Sequence, residues 1–179
     1  KLPSNPISVA APISAKKFFN MDMSSCSISE GKVKLKYLDN LLMKKGYLIN
    51  NLGKLTSNPK DFYEKPKGAI LPLGGIASHK GFALSMAIDI LAGALSNAGC
   101  TSNKNKRHGN ALTLIFIKIS SFSKLKDFKK NVNSLCNHVQ TSRLAKGVKK
   151  ILIPGEFELN IQKKQKKNGL KINKKILQK

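Results

Sequence analysis

The chain of 179 residues carries 33 Lys and Arg against nine Asp and Glu, a formal net charge of +24, with 41% hydrophobic residues. That length and apolar fraction suit one sizeable folded domain and exclude a disordered chain. The charge alone would suggest nucleic acid, but Arg107 and Arg143 are the sole arginines and aromatics make up 6% with no Trp, so base readout and base stacking lack their usual residues and only weak polyanion binding is expected.

In chain order, residues 5–13 (NPISVAAPI) read as a short strand bounded by prolines, and 18–25 (FFNMDMSS) as a second strand ending in small polar residues. Residues 32–38 (KVKLKYL) alternate like a strand, yet Ser29 and Glu30 look like a helix start, so both readings stand. Residues 50–62 are loop by their Gly, Asn and Pro content. Ser78 then serves as N-cap of a helix from about His79 to Ser96, stopped by Asn97 and Gly99. Apolar residues such as Phe82, Met86, Ile90 and Leu95 fall on nearly all its faces, which predicts a buried helix.

After a polar loop at 100–108, residues 110–119 (NALTLIFIKI) form a nearly continuous apolar run suited to a central strand. Leu125, Phe128, Val132 and Leu135 recur at helical spacing with lysines on the outer faces, an amphipathic helix. Residues 149–155 (KKILIPG) read as a short strand and turn, and 156–168 as a lysine-rich helix ended by Gly169. No internal repeat occurs, and the tail beyond Leu170 is expected to be mobile or loosely docked.

Several features bound the setting. Cys26, Cys100 and Cys136 form an odd set without a close pair, which favours reduced thiols in a cytoplasmic compartment over a disulfide frame or zinc site. No leader pattern follows Lys1, and the longest apolar stretch, broken by Ser85 and Asp89, is too short and polar to span a bilayer. A metal site is not expected, since His108 and His138 have no partner at ligand spacing.

Three places invite ligand chemistry. His79 and Lys80 follow a glycine-rich turn into a helix, where free N–H groups and the positive helix end suit phosphate, although no G-x-G-x-x-G or P-loop pattern is present. The bland alternative is a solvated basic cap. Asp22 ends a strand beside Ser24 and Ser25, where a carboxylate can hold ribose hydroxyls or cap a loop. Glu156 and Glu158 lie in a first helical turn, where acids gain from the dipole, but that does not explain the Pro154-Gly155 turn before them.

Taken in order, these segments resemble the second half of the type-2 malate/L-lactate dehydrogenase family. The matching stretches are Ser4-Asn5-Pro6, the DMSSC segment from Asp22, Thr56 to Pro59, Gly68 to Leu84, ILAGALS at 90–96, and Pro154 to Glu158. The resemblance implies an α/β (α+β) fold with a mixed, largely antiparallel sheet and packed helices, a non-Rossmann nicotinamide-binding fold, here incomplete. Residues 1–169 would be the cofactor-binding, C-terminal portion and 170–179 a basic tail. NAD or NADP would contact Asn20, Met21, Asp22, Met23, Ser24, His79, Asn110, Gly155, Glu156, Phe157 and Glu158. The family's catalytic His and substrate-binding Arg lie upstream of the first matched strand, so no catalytic residue is assigned within the chain. The implied function is part of an oxidoreductase passing hydride between a small 2-hydroxy or 2-oxo acid and the cofactor, in a homodimeric enzyme without a membrane or specific nucleic-acid partner. The runner-up is an inactive remnant serving as a structural or interaction module, with a basic nucleic-acid-binding domain behind it.

Overall fold

A computed structural model of the chain describes residues 3–102, 109–170 and 172. Two compact units emerge, one from Lys1–Ile7 with Met23–Leu114 and the other from Ser8–Asp22 with Ile115–Lys179. Both are built from helices and small sheets. Strands β1 (Pro6–Pro12) and β2 (Phe18–Ser24) pair with each other, close to the predicted spans. Their connection is fixed locally. The Ile13 and Ser14 N–H groups donate to the Lys17 carbonyl, and Ser14 Oγ accepts from the Lys17 N–H at 3.2 Å.

In the first unit, the ambiguous stretch resolves as helix α1 (Glu30–Leu38), overturning the strand alternative. The Ser29 carbonyl takes the Lys32 and Val33 N–H groups, and the turn thus started buries Val33 completely. The expected loop at 50–62 contains more order than its composition suggested. Strands β3 (Leu48–Ile49), β4 (Leu55–Thr56) and β5 (Ala69–Ile70) form an antiparallel sheet in the order β4-β3-β5, with Leu48 opposite both Thr56 and Ile70. A single helical turn, α2 (Lys60–Tyr63), follows. Tyr63 rests against Tyr37, and Lys34 Nζ sits 4.6 Å from the Tyr63 ring centre, a cation–π contact tying α1 to α2. Leu48 and Val33 are the fully buried apolar side chains here.

Helix α3 (Ser78–Asp89) and the π-helical turn Ile90–Ala94 occupy the predicted helical span. Ser78 is the first helical residue and makes no cap hydrogen bond, so its expected capping role is not realised. Burial also differs from expectation. The buried positions of α3 are Gly81 and Ser85, whereas Phe82, Met86, Ile90, Leu91 and Leu95 are exposed. The small residues form the most closely packed strip, while Leu84 and Ile88 are half-buried. At Gly81 a Cβ would collide with the Leu73 backbone, which explains a glycine in mid-helix. Ser85 receives the Asn5 side-chain amide on its carbonyl oxygen at 2.8 Å.

Residues 110–118 are likewise not the central strand the pattern predicts. They adopt no regular structure, and Leu112, Ile117 and Phe116 are 74%, 71% and 89% exposed. Their sequence is that of a strand covered on both faces, but no described strand pairs with them.

In the second unit, α4 (Leu125–Gln140) is the predicted amphipathic helix. It packs Cys136 with Ile13 and Ile153, with Phe19 and Val132 against them. The stretch before the Pro-Gly turn is not a strand. Its tie to β2 is one backbone hydrogen bond, Asn20 N–H to the Pro154 carbonyl at 3.1 Å, too little for a ladder. Helix α5 (Glu156–Asn168) follows and ends at Gly169 as expected. The tail at 171 and 173–179, and the polar loop at 103–108 with His108, lie outside the described residues.

Candidate functional site

The best-defined feature is where the acid-bearing turn meets β2 in the second unit. Period-two alternation along β2 sends Phe19 and Met21 inward and leaves Asn20 and Asp22 exposed on the opposite face. The Pro154-Gly155 turn lies against Asn20. Gly155 is buried with φ +95°, and a Cβ there would stand 3.0 Å from Asn20 Cβ and 3.3 Å from its carbonyl oxygen. Glycine therefore meets two demands at once, a left-handed backbone and close packing on the strand.

Glu156 then holds the turn shut. Its Oε2 accepts from the Ile153 N–H at 3.1 Å, and both carboxylate oxygens accept from the Gln140 side-chain amide at 3.1 and 3.2 Å. The carboxylate reaches back three residues as in a capping box, and simultaneously ties α4 to the start of α5. Phe157 and Glu158 are exposed, and their N–H groups have no intrahelical acceptor in the first turn. The turn thus seats on Asn20, while Asp22 and Glu158 are exposed.

The remaining sequence-predicted positions belong wholly or partly to the first unit. Ser24 Oγ donates to the Cys26 carbonyl at 3.2 Å, a local turn contact, and Met23 is half-buried. His79 is exposed at the N-terminal end of α3, and Asn110 is exposed at the start of the irregular run. Burial pushes the Cys26 thiol up, so it is a poor thiolate nucleophile. Among the described residues no three His, Cys, Asp or Glu side chains gather as a metal centre would require, and no helix is long and apolar enough to cross a membrane.

Sequence reasoning missed two structural roles. Asn5, matched as part of a strand start, is a long-range clamp onto Ser85, and Gln140, not singled out at all, is the partner of Glu156. The only forewarning of the second was a carboxylate three residues after an apolar strand-like residue, the spacing of a reciprocal cap.

Comparison with known proteins converges with this architecture. The fold is similar to that of malate dehydrogenase from Pyrococcus horikoshii, with a TM-score of 0.76 at 28% identity, covering 99% of this chain and 49% of that one. Malate dehydrogenase from Pyrococcus abyssi is 31% identical over 98% of this chain and 50% of its own length. Malate/(S)-sulfolactate dehydrogenase from Methanothermus fervidus is 32% identical over 99% of this chain and 51% of its own. These relatives are malate or sulfolactate dehydrogenases. It belongs to the malate/L-lactate dehydrogenase family, which matches residues 1–179. It spans about half the length of the relatives it matches.

Proposed function

We propose that this chain is the nicotinamide-cofactor-binding portion, over residues 1–169, of a cytoplasmic NAD- or NADP-dependent 2-hydroxy-acid dehydrogenase with a non-Rossmann fold. The whole enzyme would be a homodimer acting on a small 2-hydroxy or 2-oxo acid. The carrying observation is the seating of the Pro154–Glu158 turn on β2 at Asn20, which joins two family-like motifs far apart in sequence.

The residues present fit a dinucleotide. The turn is close-packed beneath, so its exposed upper face is rigid and lined by backbone. Asp22 and Glu158 are exposed carboxylates able to accept ribose hydroxyls, while the Phe157 and Glu158 N–H groups can meet phosphate oxygen. Glu156 fixes the turn and the start of α5 through Ile153 and Gln140. His79 and Asn110 are assigned to the same cofactor by motif alone. When bound, the nicotinamide supplies the hydride acceptor or donor. The chain's own contribution is binding and orientation, because no acid–base residue is assigned in it.

The test is a fluorescence titration of the full chain with NADH and with NADPH, beside Asp22→Ala and Glu158→Ala variants. Saturable binding of at least one cofactor, weakened in both variants, is expected. A folded chain that binds neither cofactor refutes the reading.

A further inference from the structure

Charge is unevenly divided between the two units. The second, Ser8–Asp22 with Ile115–Lys179, holds 19 of the 33 Lys and Arg but four of the nine acids. Within it, α4 sorts its residues by face. Val132 and Cys136 pack towards Ile13, Phe19 and Ile153. Lys126, Lys130, Asn133 and Asn137 fall on a separate face, within an arc of about 60° at 3.6 residues per turn, and all four are exposed. The strip they form runs for about 16 Å, at about 1.5 Å per residue. No apolar or acidic residue interrupts it, and Asp127 lies to one side. The helix itself gains nothing from these cations. Lys124 and Lys126, at its cap and in its first turn, sit where the helix dipole disfavours positive charge.

We propose that this strip of α4 docks on the phosphate backbone of duplex nucleic acid without reading its sequence. The inference goes beyond the proposed function and does not rest on cofactor binding. The chemistry of the strip selects this occupant. Two ammonium groups one helical turn apart meet phosphate charge, and two amides offer donors to phosphate or sugar oxygen. Arginine, the usual reader of guanine edges, is absent from α4. The strip also lacks the aromatic rings on which single-stranded bases stack. A bilayer surface would need apolar side chains on the same face as the lysines, whereas Phe128, Val132, Leu135 and Val139 lie on another.

The experiment follows the fluorescence anisotropy of two labelled duplexes of about 20 base pairs and unrelated sequence, titrated with the full chain from about 50 to 200 mM salt. Both duplexes should bind alike, with affinity falling linearly against salt on logarithmic axes. Lys126→Gln combined with Lys130→Gln should flatten that slope by about 1.8, two phosphate contacts at about 0.9 each. Lys44→Gln combined with Lys45→Gln removes the same charge from exposed positions of the first unit and should leave the slope unchanged. Asn133→Glu, which adds an acid to the strip, should weaken binding about threefold or more at the lowest salt. Circular dichroism checks helix content, which Gln and Glu preserve about as well as Lys. Equal flattening by the two lysine pairs assigns binding to diffuse charge and overturns the proposal. So does an absence of binding at about 50 mM salt, or a preference above about tenfold for one duplex. Tighter binding to anionic vesicles or to polyglutamate than to duplex overturns it as well.

Discussion

Replacing Gly155 with Ala separates the two demands made at the acid-bearing turn. The residue has φ +95° and ψ −20°, where a side chain costs about 1–2 kcal/mol from backbone strain alone. The added Cβ would also stand 3.0 Å from Asn20 Cβ and 3.3 Å from its carbonyl oxygen, both tighter than ordinary contact. Overpacking against a strand held by its own ladder adds about 1–2 kcal/mol, so the total is about 2–4 kcal/mol. Gly147 supplies the control, since it has φ +84° but nothing within 4 Å of its Cβ position. Gly147→Ala should lose only the strain component, about 1–2 kcal/mol. The assay is native-state hydrogen exchange at the Asn20 amide, the donor to Pro154, with urea unfolding alongside. In Gly155→Ala that amide should exchange roughly 30-fold faster or more, the equivalent of about 2 kcal/mol, and in Gly147→Ala it should be unaffected unless the whole unit loosens. Equal losses in both variants, or an Asn20 amide unchanged in Gly155→Ala, would refute the packing argument.

Glu156→Ala should destabilise the second unit by about 1–3 kcal/mol because the Ile153 N–H loses its acceptor, whereas Glu156→Gln keeps an acceptor and should lose less, both read as urea midpoints; equal losses would show that charge rather than acceptance matters. The Tyr63 hydroxyl is pushed up to about 12, first by burial and then by Glu30, so ultraviolet titration should find it ionising well above an ordinary tyrosine. Since the folded value is the higher one, the associated stability is complete below about 10 and lost as pH rises towards 12. Glu30→Gln should lower the midpoint only partly, and a full return to 10 would contradict burial as the larger cause. Ser25 Oγ is buried without a hydrogen-bond partner among the described residues, so Ser25→Ala should be neutral or stabilising by about 1 kcal/mol in thermal unfolding; a loss above about 1 kcal/mol would reveal a bond made to the hydroxyl.

What the sequence revealed and what it hid divide along a physical line. Periodicity reports what a segment's side chains are prepared to bury, and short-range rules report where the backbone turns. Hence β1, β2, α4 and α5, the turn at Gly155 and the stops at Asn97 and Gly169 were legible from local pattern. Partners of particular polar atoms were not, because nothing in Asn5 points to Ser85, eighty residues away, or in Gln140 to Glu156. The two failures over burial, α3 and 110–119, share one cause. Both sequences suit a covered environment, and among the described residues neither finds that cover. Helix α3 buries only Gly81 and Ser85 fully, with Leu84 and Ile88 half-buried, and leaves Phe82 and Met86 exposed. The run at 110–118 has strand composition, yet no strand among the described residues pairs with it. An apolar pattern therefore reports what a segment is suited to bury, not whether the described fold covers it. The acid-bearing turn obeys the opposite logic. Its fit to β2 is complete within one unit, so its glycine, its carboxylate and its place were all readable once the strand beneath it was known.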